Sequence, residues 1–324
     1  MSLPDWPALP NFFIAGAPKT GTTSLYSYLN QHPAVYMSRV KEPCYFASEM
    51  RSQNFEPEFQ ESMDRSSRNL LRYIDGPMSG ANPGGVIAEW KDYLKLFKNV
   101  TTETAIGEAS VCYLWSSTAA LQIQSKIPTA RIVMILRNPA ERAFSQYLQY
   151  AAGGLVRRPF REHVNHCMRD GRSKFGLFCP FLEYGLYYEQ VKRYLCSFPR
   201  ASIRIYLYEE AWRCPGQLLA DVFEFLGVDP GFEVNTSTRI LERQSPKWLA
   251  GFRLLKRSGF DRTMKALIPR LLRERVRGMA FHQGKALRLE AKDREYLRDY
   301  YKEDIQKLSG LLDRDLTGWL RCGA

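Results

Sequence analysis

Between positions 16 and 24 the chain reads Gly16-Ala-Pro-Lys19-Thr20-Gly21-Thr22-Thr23-Ser24. A lysine inside a glycine-bounded turn, with hydroxyl residues behind it, is equipped to hold an anion. The backbone N–H groups of such a turn, and of the helix it opens, form a cradle for phosphate oxygens. Glycines let that backbone approach closely. The spacing is that of a nucleotide P-loop, but the lysine that should follow the second glycine is replaced by Thr22, and Lys19 lies within the turn instead. This departure argues against a Mg²⁺–ATP site. It suits a ligand with one 5′-phosphate joined to a less charged group. Lys19 would then stabilise the charge developing on a bridging oxygen as it leaves.

A second pair of residues could grip another phosphate. Arg137 ends the apolar run 132–136, and Ser145 stands eight residues on, about two turns into the next helix. Ligands of parallel sheets sit outside the carboxyl ends of the strands, which is where Arg137 falls. A guanidinium and a hydroxyl converging there hold phosphate through charge-assisted bonds. An ATP-dependent small-molecule kinase, the first alternative, needs a lysine directly after Gly21 and a Mg²⁺-binding carboxylate. The strand ends in a cation instead.

The elements needed to present these groups are legible. The run 11–16 reads as a buried strand feeding a glycine-rich turn and a helix through Leu25, Tyr28 and Leu29. Further strands are expected at 35–37, 105–108, 131–136 and 202–208. Helices are expected at 90–97, 116–127, 158–170, 183–197, 216–226 and 291–312. Asn138-Pro139 opens another, with Asn as cap and Pro at the first helical position. Residues 51–88, rich in Ser, Asn, Pro and Gly, read as the least regular stretch. In the final helix Tyr296, Leu297, Tyr300, Tyr301 and Ile305 read as one face. Alternating strands and helices predict an α/β fold, a P-loop-type central parallel sheet with right-handed crossovers and helices on both faces. The expectation is one domain over 1–324.

Composition narrows the partners. Lys and Arg outnumber Asp and Glu 46 to 34, a net charge of +12, and a basic chain favours anionic partners. Much of the excess lies between Arg253 and Arg277, a stretch that reads as a solvated face or a patch for an acidic glycan or a peripheral membrane contact. No nucleic-acid-binding signature accompanies it. Seven cysteines at loose spacing favour free thiols, with Cys167–Cys179 as the one pair that an oxidising compartment could bridge. There is no zinc spacing and no metal is expected. No apolar run is long enough to span a bilayer. A cytoplasmic protein is the simplest expectation, and a luminal fragment lacking its anchor would look the same.

Together these segments resemble the sulfotransferases that use 3′-phosphoadenosine 5′-phosphosulfate (PAPS). Phe13-Ile14-Ala15-Gly16-Ala17-Pro18-Lys19-Thr20-Gly21-Thr22-Thr23-Ser24-Leu25 is similar to that family's 5′-phosphosulfate loop. Ile132-Val-Met-Ile-Leu-Arg137-Asn-Pro-Ala-Glu-Arg142-Ala-Phe-Ser145-Gln-Tyr147 is similar to its 3′-phosphate segment. Leu29-Asn-Gln-His32-Pro33, Lys41-Glu42-Pro-Cys-Tyr-Phe46, Tyr184-Gly185-x-Tyr187 and Asp313-Arg-Asp-Leu-Thr-Gly-Trp319-Leu extend the resemblance along nearly the whole chain. The style is that of bacterial and heparan-type members.

The resemblance implies transfer of a sulfuryl group from PAPS to a hydroxyl or amine of a glycan, lipid or small molecule, without metal. It implies that Lys19 contacts the bridging oxygen, and that Thr20, Gly21, Thr22, Thr23 and Ser24 hold the 5′-phosphate. Arg137 and Ser145 would hold the 3′-phosphate, with Lys285 of Gln283-Gly284-Lys285 closing over it. Glu42 is the implied general base, because heparan-type members carry a glutamate shortly before a Phe-rich stretch. His32 is its rival. Glu108 reads as a lining of the acceptor pocket or a strand-end charge. A non-catalytic, sulfotransferase-like binding protein is the remaining alternative, and retention of Lys19, Glu42, Arg137 and Ser145 argues against it.

Overall fold

The structure is a computed structural model and describes residues 8–152, 155–169, 180–236, 245–246, 281–282 and 287–321. Five strands form its central sheet: β1 (Phe12–Gly16), β2 (Val35–Met37), β3 (Ala105–Ala109), β4 (Arg131–Leu136) and β5 (Ile203–Leu207). Their spatial order is β2-β3-β1-β4-β5, and every pairing is parallel. The α/β expectation is met, and each strand lies within a residue of where the sequence put it. A two-residue antiparallel pair, β6 (Ser245–Pro246) with β7 (Phe281–His282), stands apart from this sheet.

Strand side chains alternate between faces, and both faces are covered. Phe12, Ile14, Val133 and Ile135 pack under α1 (Thr22–Leu29) and a later helix, Pro215–Leu226. Phe13, Ala15, Ile132, Met134 and Leu136 pack on the opposite side. That second layer is built by the helices Ala119–Lys126, Pro139–Ala152, Tyr187–Ser197 and Ala291–Leu312. With both faces buried, the strands read as continuous apolar runs.

In chain order the helices are α1, α2 (Pro57–Asp75), α3 (Trp90–Leu94), α4 (Cys112–Trp115), α5 (Ala119–Lys126), α6 (Pro139–Ala152), α7 (Phe160–Arg169), α8 (Tyr187–Ser197), α9 (Tyr208–Ala211), α10 (Pro215–Leu226) and α11 (Ala291–Leu312). Local chemistry explains several ends. Asn138 Oδ1 accepts from the N–H of Ala140 at 3.0 Å and of Glu141 at 3.3 Å, capping α6 as its sequence foretold. Gly227 takes the left-handed conformation that closes α10, φ 75°. Asp304 of α11 accepts from the N–H of Tyr187 at 2.7 Å and of Tyr188 at 3.1 Å, so a distant helix caps α8.

Three expectations fail. The supposedly irregular stretch contains α2, 19 residues long. Its apolar stripe is sparse: Leu70 and Ile74 are buried and Phe59 and Met63 pack beside them, while Ser62 and Asn69 are exposed and Ser66 and Ser67 only half-buried. The helix expected over 116–127 begins only at Ala119, because at 116–117 the Glu49 carboxylate accepts from Ser116 Oγ and Ser117 N at 2.7 Å each, and a separate short helix, α4, ends before it. On α11, Leu297, Tyr301 and Ile305 are buried, but Tyr296 and Tyr300 are exposed, and Tyr296 instead stacks under the Arg161 guanidinium at 4.1 Å. Among the described residues, no helix is long and apolar enough to cross a membrane.

Gly107 shows how tightly the sheet is filled. It pairs with Phe12 across β1 and β3, and a Cβ added there would come 2.1 Å from Phe12 Cζ. The Phe12 ring occupies the space a side chain would need. Gly107→Ala is therefore expected to destabilise the fold by about 1–3 kcal/mol through overpacking. Urea unfolding checks this, and an unchanged midpoint would contradict the packing described.

Candidate active site

The loops after β1, β2, β3 and β4 gather at one end of the sheet, the carboxyl end where parallel sheets bind ligands. The β1–α1 turn is shaped by its residues. Ala17 N donates to Ile135 O at 2.9 Å, stitching the turn to β4, and Thr20 Oγ1 donates to Ala17 O at 2.7 Å. The Thr20 hydroxyl is thus spent on holding the turn. Gly21 precedes α1 with φ 84°, and no side chain caps the helix. The first N–H groups of a helix have no intrahelical acceptor, so those opening α1, from Thr22 to Ser24, are available to an anion. The side chain of Thr22 is buried, and Thr23 and Ser24 are half-buried.

Arg137 meets this turn directly. Its Nη1 donates to the Lys19 carbonyl at 3.1 Å, its guanidinium lies 4.4 Å over the Tyr208 ring, and its carbonyl accepts from Tyr187 OH at 3.0 Å. It is 5% exposed. Glu141 stands 3.8 Å away but is held at 2.7 Å by Arg294, so two cations share that carboxylate. Ser145, half-buried, is the i+4 neighbour of Glu141 on the same face of α6. The structure therefore joins Lys19 to Arg137 by a hydrogen bond and places Ser145 one turn beyond Glu141 on α6. Lys285 lies outside the described residues, as do Cys179 and the basic positions 253–277.

Glu42 sits in the loop after β2. Its N–H donates to Ala109 O at 2.9 Å, and its Oε2 accepts from the Val111 N–H at 2.8 Å. Lys41 Nζ pairs with Oε1, and the Glu42 side chain remains 33% exposed. The two loops are neighbours, because a Cβ on Gly16 would lie 3.2 Å from the Val111 carbonyl. Both Lys19 and Glu42 hold left-handed backbone, φ 69° and 64°, a region that side chains other than glycine occupy at a cost.

His32 is not placed for proton transfer. Its Nδ1 accepts from the Ala34 N–H at 3.0 Å, which leaves Nε2 to donate to Asp229 O at 3.2 Å. The ring is buried between Phe223 and Phe232, with centroids 4.7 and 4.8 Å away, so it locks a turn.

Glu108 is also not what its position in the sequence suggested. It is fully buried and neither lines an open pocket nor ends the strand as a surface charge. Three hydroxyls donate to it: Tyr93 at 3.0 Å, Tyr113 at 2.9 Å, and Ser110. Burial outweighs those bonds and pushes the carboxyl up to about 7, with Glu42 adding to the rise.

Sequence reasoning missed Trp212 and Tyr208. Trp212 Nε1 donates to Thr20 O at 2.9 Å, and its indole packs against Gly21, where a Cβ would come within 2.5 Å. Both residues follow β5, and attention to every strand's carboxyl end would have found them.

A sequence profile described as the sulfotransferase family matches residues 10–233, more than half of the chain. A crystal structure of a sulfotransferase from Alicyclobacillus acidocaldarius is similar, with TM-score 0.70 and 29% identity over 97% of this chain and all of that one. Bifunctional heparan sulfate N-deacetylase/N-sulfotransferase 2 of Bos taurus is 25% identical over 319 residues, covering 97% of this chain and 31% of that protein. Human carbohydrate sulfotransferase 15 is 26% identical over 272 residues, 68% of this chain and 44% of that protein. The chain thus spans about a third to under half the length of these curated relatives. The parallel sheet and the P-loop-like turn accord with these matches. The chain belongs to the sulfotransferase family.

The buried Glu108 makes stability depend on pH. Its folded-state pKa, about 7, exceeds the ordinary 4.5. Its favourable contribution is therefore complete below about pH 4.5 and is lost as pH rises through about 7. Glu108→Gln keeps the shape and removes the charge. Relative to this variant, wild type is expected to lose stability across that window by at most about 3 kcal/mol. Parallel melting-temperature profiles from pH 4 to 8 would refute the assignment.

Proposed function

We propose that this protein transfers the sulfuryl group of PAPS to a hydroxyl or amine, with Glu42 receiving the acceptor's proton. The observation that supports the reading is the hydrogen bond from Arg137 to the Lys19 carbonyl, which joins the two loops that carry these cations; in this reading the 5′-phosphosulfate lies against one loop and the 3′-phosphate against the other. The N–H groups opening α1 hold the 5′-phosphate, and Lys19 stabilises charge on the bridging oxygen as its bond to sulfur breaks. Arg137 and Ser145 hold the 3′-phosphate. Thr20 contributes through the backbone, since its hydroxyl is turned into the turn itself. The attacking oxygen or nitrogen bonds to sulfur, its proton passes to Glu42, and adenosine 3′,5′-bisphosphate leaves. Positioning and electrostatic stabilisation supply most of the rate in such a transfer.

Glu42 suits the role because its carboxylate is fixed by the Val111 N–H yet keeps an exposed side. We take the acceptor to be a glycan. The net charge of +12 favours an acidic chain, and the names of the relatives refer to heparan sulfate and carbohydrate.

Three variants test this reading. Lys19→Ala is expected to abolish transfer of labelled sulfate while the protein stays folded, and near-normal turnover would remove Lys19 from its role. Glu42→Gln is expected to keep thermal stabilisation by adenosine 3′,5′-bisphosphate while kcat falls about 10²–10⁴-fold. Weakened nucleotide binding with unchanged kcat would move the base elsewhere. Wild type is expected to prefer adenosine 3′,5′-bisphosphate to adenosine 5′-phosphate, and Arg137→Ala to lose about tenfold or more of that preference. Stabilisation by ATP–Mg²⁺ alone would support the kinase alternative. Labelling of small phenols but not of heparan-type chains would overturn the glycan assignment.

A further inference from the structure

Two cysteines lie beside Glu42, and the transfer chemistry uses neither. Cys44 follows it by two residues, and Cys112 opens α4. They are 5% and 2% exposed. Cys44, like Glu42, is left-handed, φ 54°, and with Pro43 between them the loop coils so that both side chains reach the same spot. One Glu42 carboxylate oxygen and the two Sγ atoms all lie within 4.8 Å of one another.

Two sulfurs and one carboxylate oxygen form a donor set that selects borderline-soft cations and discriminates against Mg²⁺ and Ca²⁺. A tetrahedral zinc with sulfur at about 2.3 Å and oxygen at about 2.0 Å holds its ligands about 3.5–3.8 Å apart. The three groups therefore need to close by only about 1 Å. The surroundings suit the task. The Val111 N–H fixes Oε2, and Oε1, now paired with Lys41, is the oxygen that would turn to a metal while the lysine stays beside it; such supporting bonds orient ligands. Cys44 N donates to Ser110 Oγ at 3.1 Å, steadying the loop behind the sulfur. The exposed side of Glu42 gives an entry path. Binding releases two thiol protons to solvent. The three anionic ligands then exceed the cation's charge by one, and Lys41, already paired with Glu42, offsets the surplus.

We propose that Glu42, Cys44 and Cys112 form a site for a thiophilic divalent cation of the Zn²⁺ class, and that its occupancy withdraws Glu42 and stops transfer. The binding stands on geometry alone. The inhibition rests on Glu42 as the general base.

The full chain, reduced with a non-chelating phosphine, is titrated with Cd²⁺ and read by the ultraviolet thiolate-to-cadmium charge-transfer band. One equivalent is expected to saturate the band, excess Mg²⁺ not to reduce it, and Cys44→Ala and Cys112→Ala each to weaken binding by more than about tenfold. Thermal unfolding confirms that these variants fold. X-ray absorption of the Zn²⁺-loaded wild type is expected to show two sulfur neighbours at about 2.3 Å together with oxygen, and it needs no variant. Absence of the band, its persistence in Cys112→Ala, or a sulfur-free zinc shell would overturn the site. Zn²⁺ is expected to inhibit wild type at concentrations at which Cys112→Ala, still active, is unaffected. Cation bound at this site with turnover unchanged would overturn the inhibition and count against Glu42 as base, while leaving the site itself established.

Discussion

The bond between the Arg137 guanidinium and the Lys19 carbonyl is the link on which the site depends. It spans two loops that leave adjacent strands and holds the Arg137 guanidinium against the backbone of the Lys19 turn. A buried arginine is costly unless its donors are occupied and its charge is shared. Here the carbonyl of Lys19 occupies one donor, the Tyr208 face carries part of the charge, and Glu141 supplies a carboxylate that Arg294 also claims. The guanidinium is held rigidly without being fully neutralised. That is the condition an anion-binding group needs: preorganised, and still electrostatically attractive.

The sheet makes this arrangement possible. Parallel strands β2, β3, β1 and β4 lie side by side, so the Glu42-bearing loop after β2, the Lys19 turn after β1 and the Arg137 end of β4 emerge at the same end of the sheet, with the loop after β3 between the first two. Val111, after β3, donates to Glu42, and Ala17, after β1, donates to Ile135 of β4. Each catalytic candidate is anchored by main chain from the neighbouring strand. Two apolar layers keep those strands in register, and the stiffness of the core is transmitted to the loops.

Much of this was readable in the sequence because its signals are local. The Lys19 turn, the strand before Arg137, the Asn138 cap and the span of α11 each announce themselves within a dozen residues. What escaped is held by contacts between distant positions. Trp212 reaches Thr20 across 192 residues of chain, and nothing near either residue marks the pair. Glu108 lies in a strand whose end invites a surface reading, and only the convergence of Tyr93, Ser110 and Tyr113 reveals a closed box of hydroxyls. Helix α2 was hidden because only a few apolar residues hold it, and composition averages such a stripe away. His32 looked reactive by type, yet its two ring nitrogens are committed to backbone.

The left-handed backbone at Lys19 and Glu42 sets folding and chemistry against each other. Glycine would relieve a cost of about 1–2 kcal/mol at each position, so drift or engineering guided by stability alone would favour it there. Such a chain would be sturdier but would lack the two side chains to which the proposed reaction assigns its chemistry. Robustness in this scaffold therefore has to be gathered elsewhere, and tolerance of strain at these two points is itself a sign that their side chains have been kept for use.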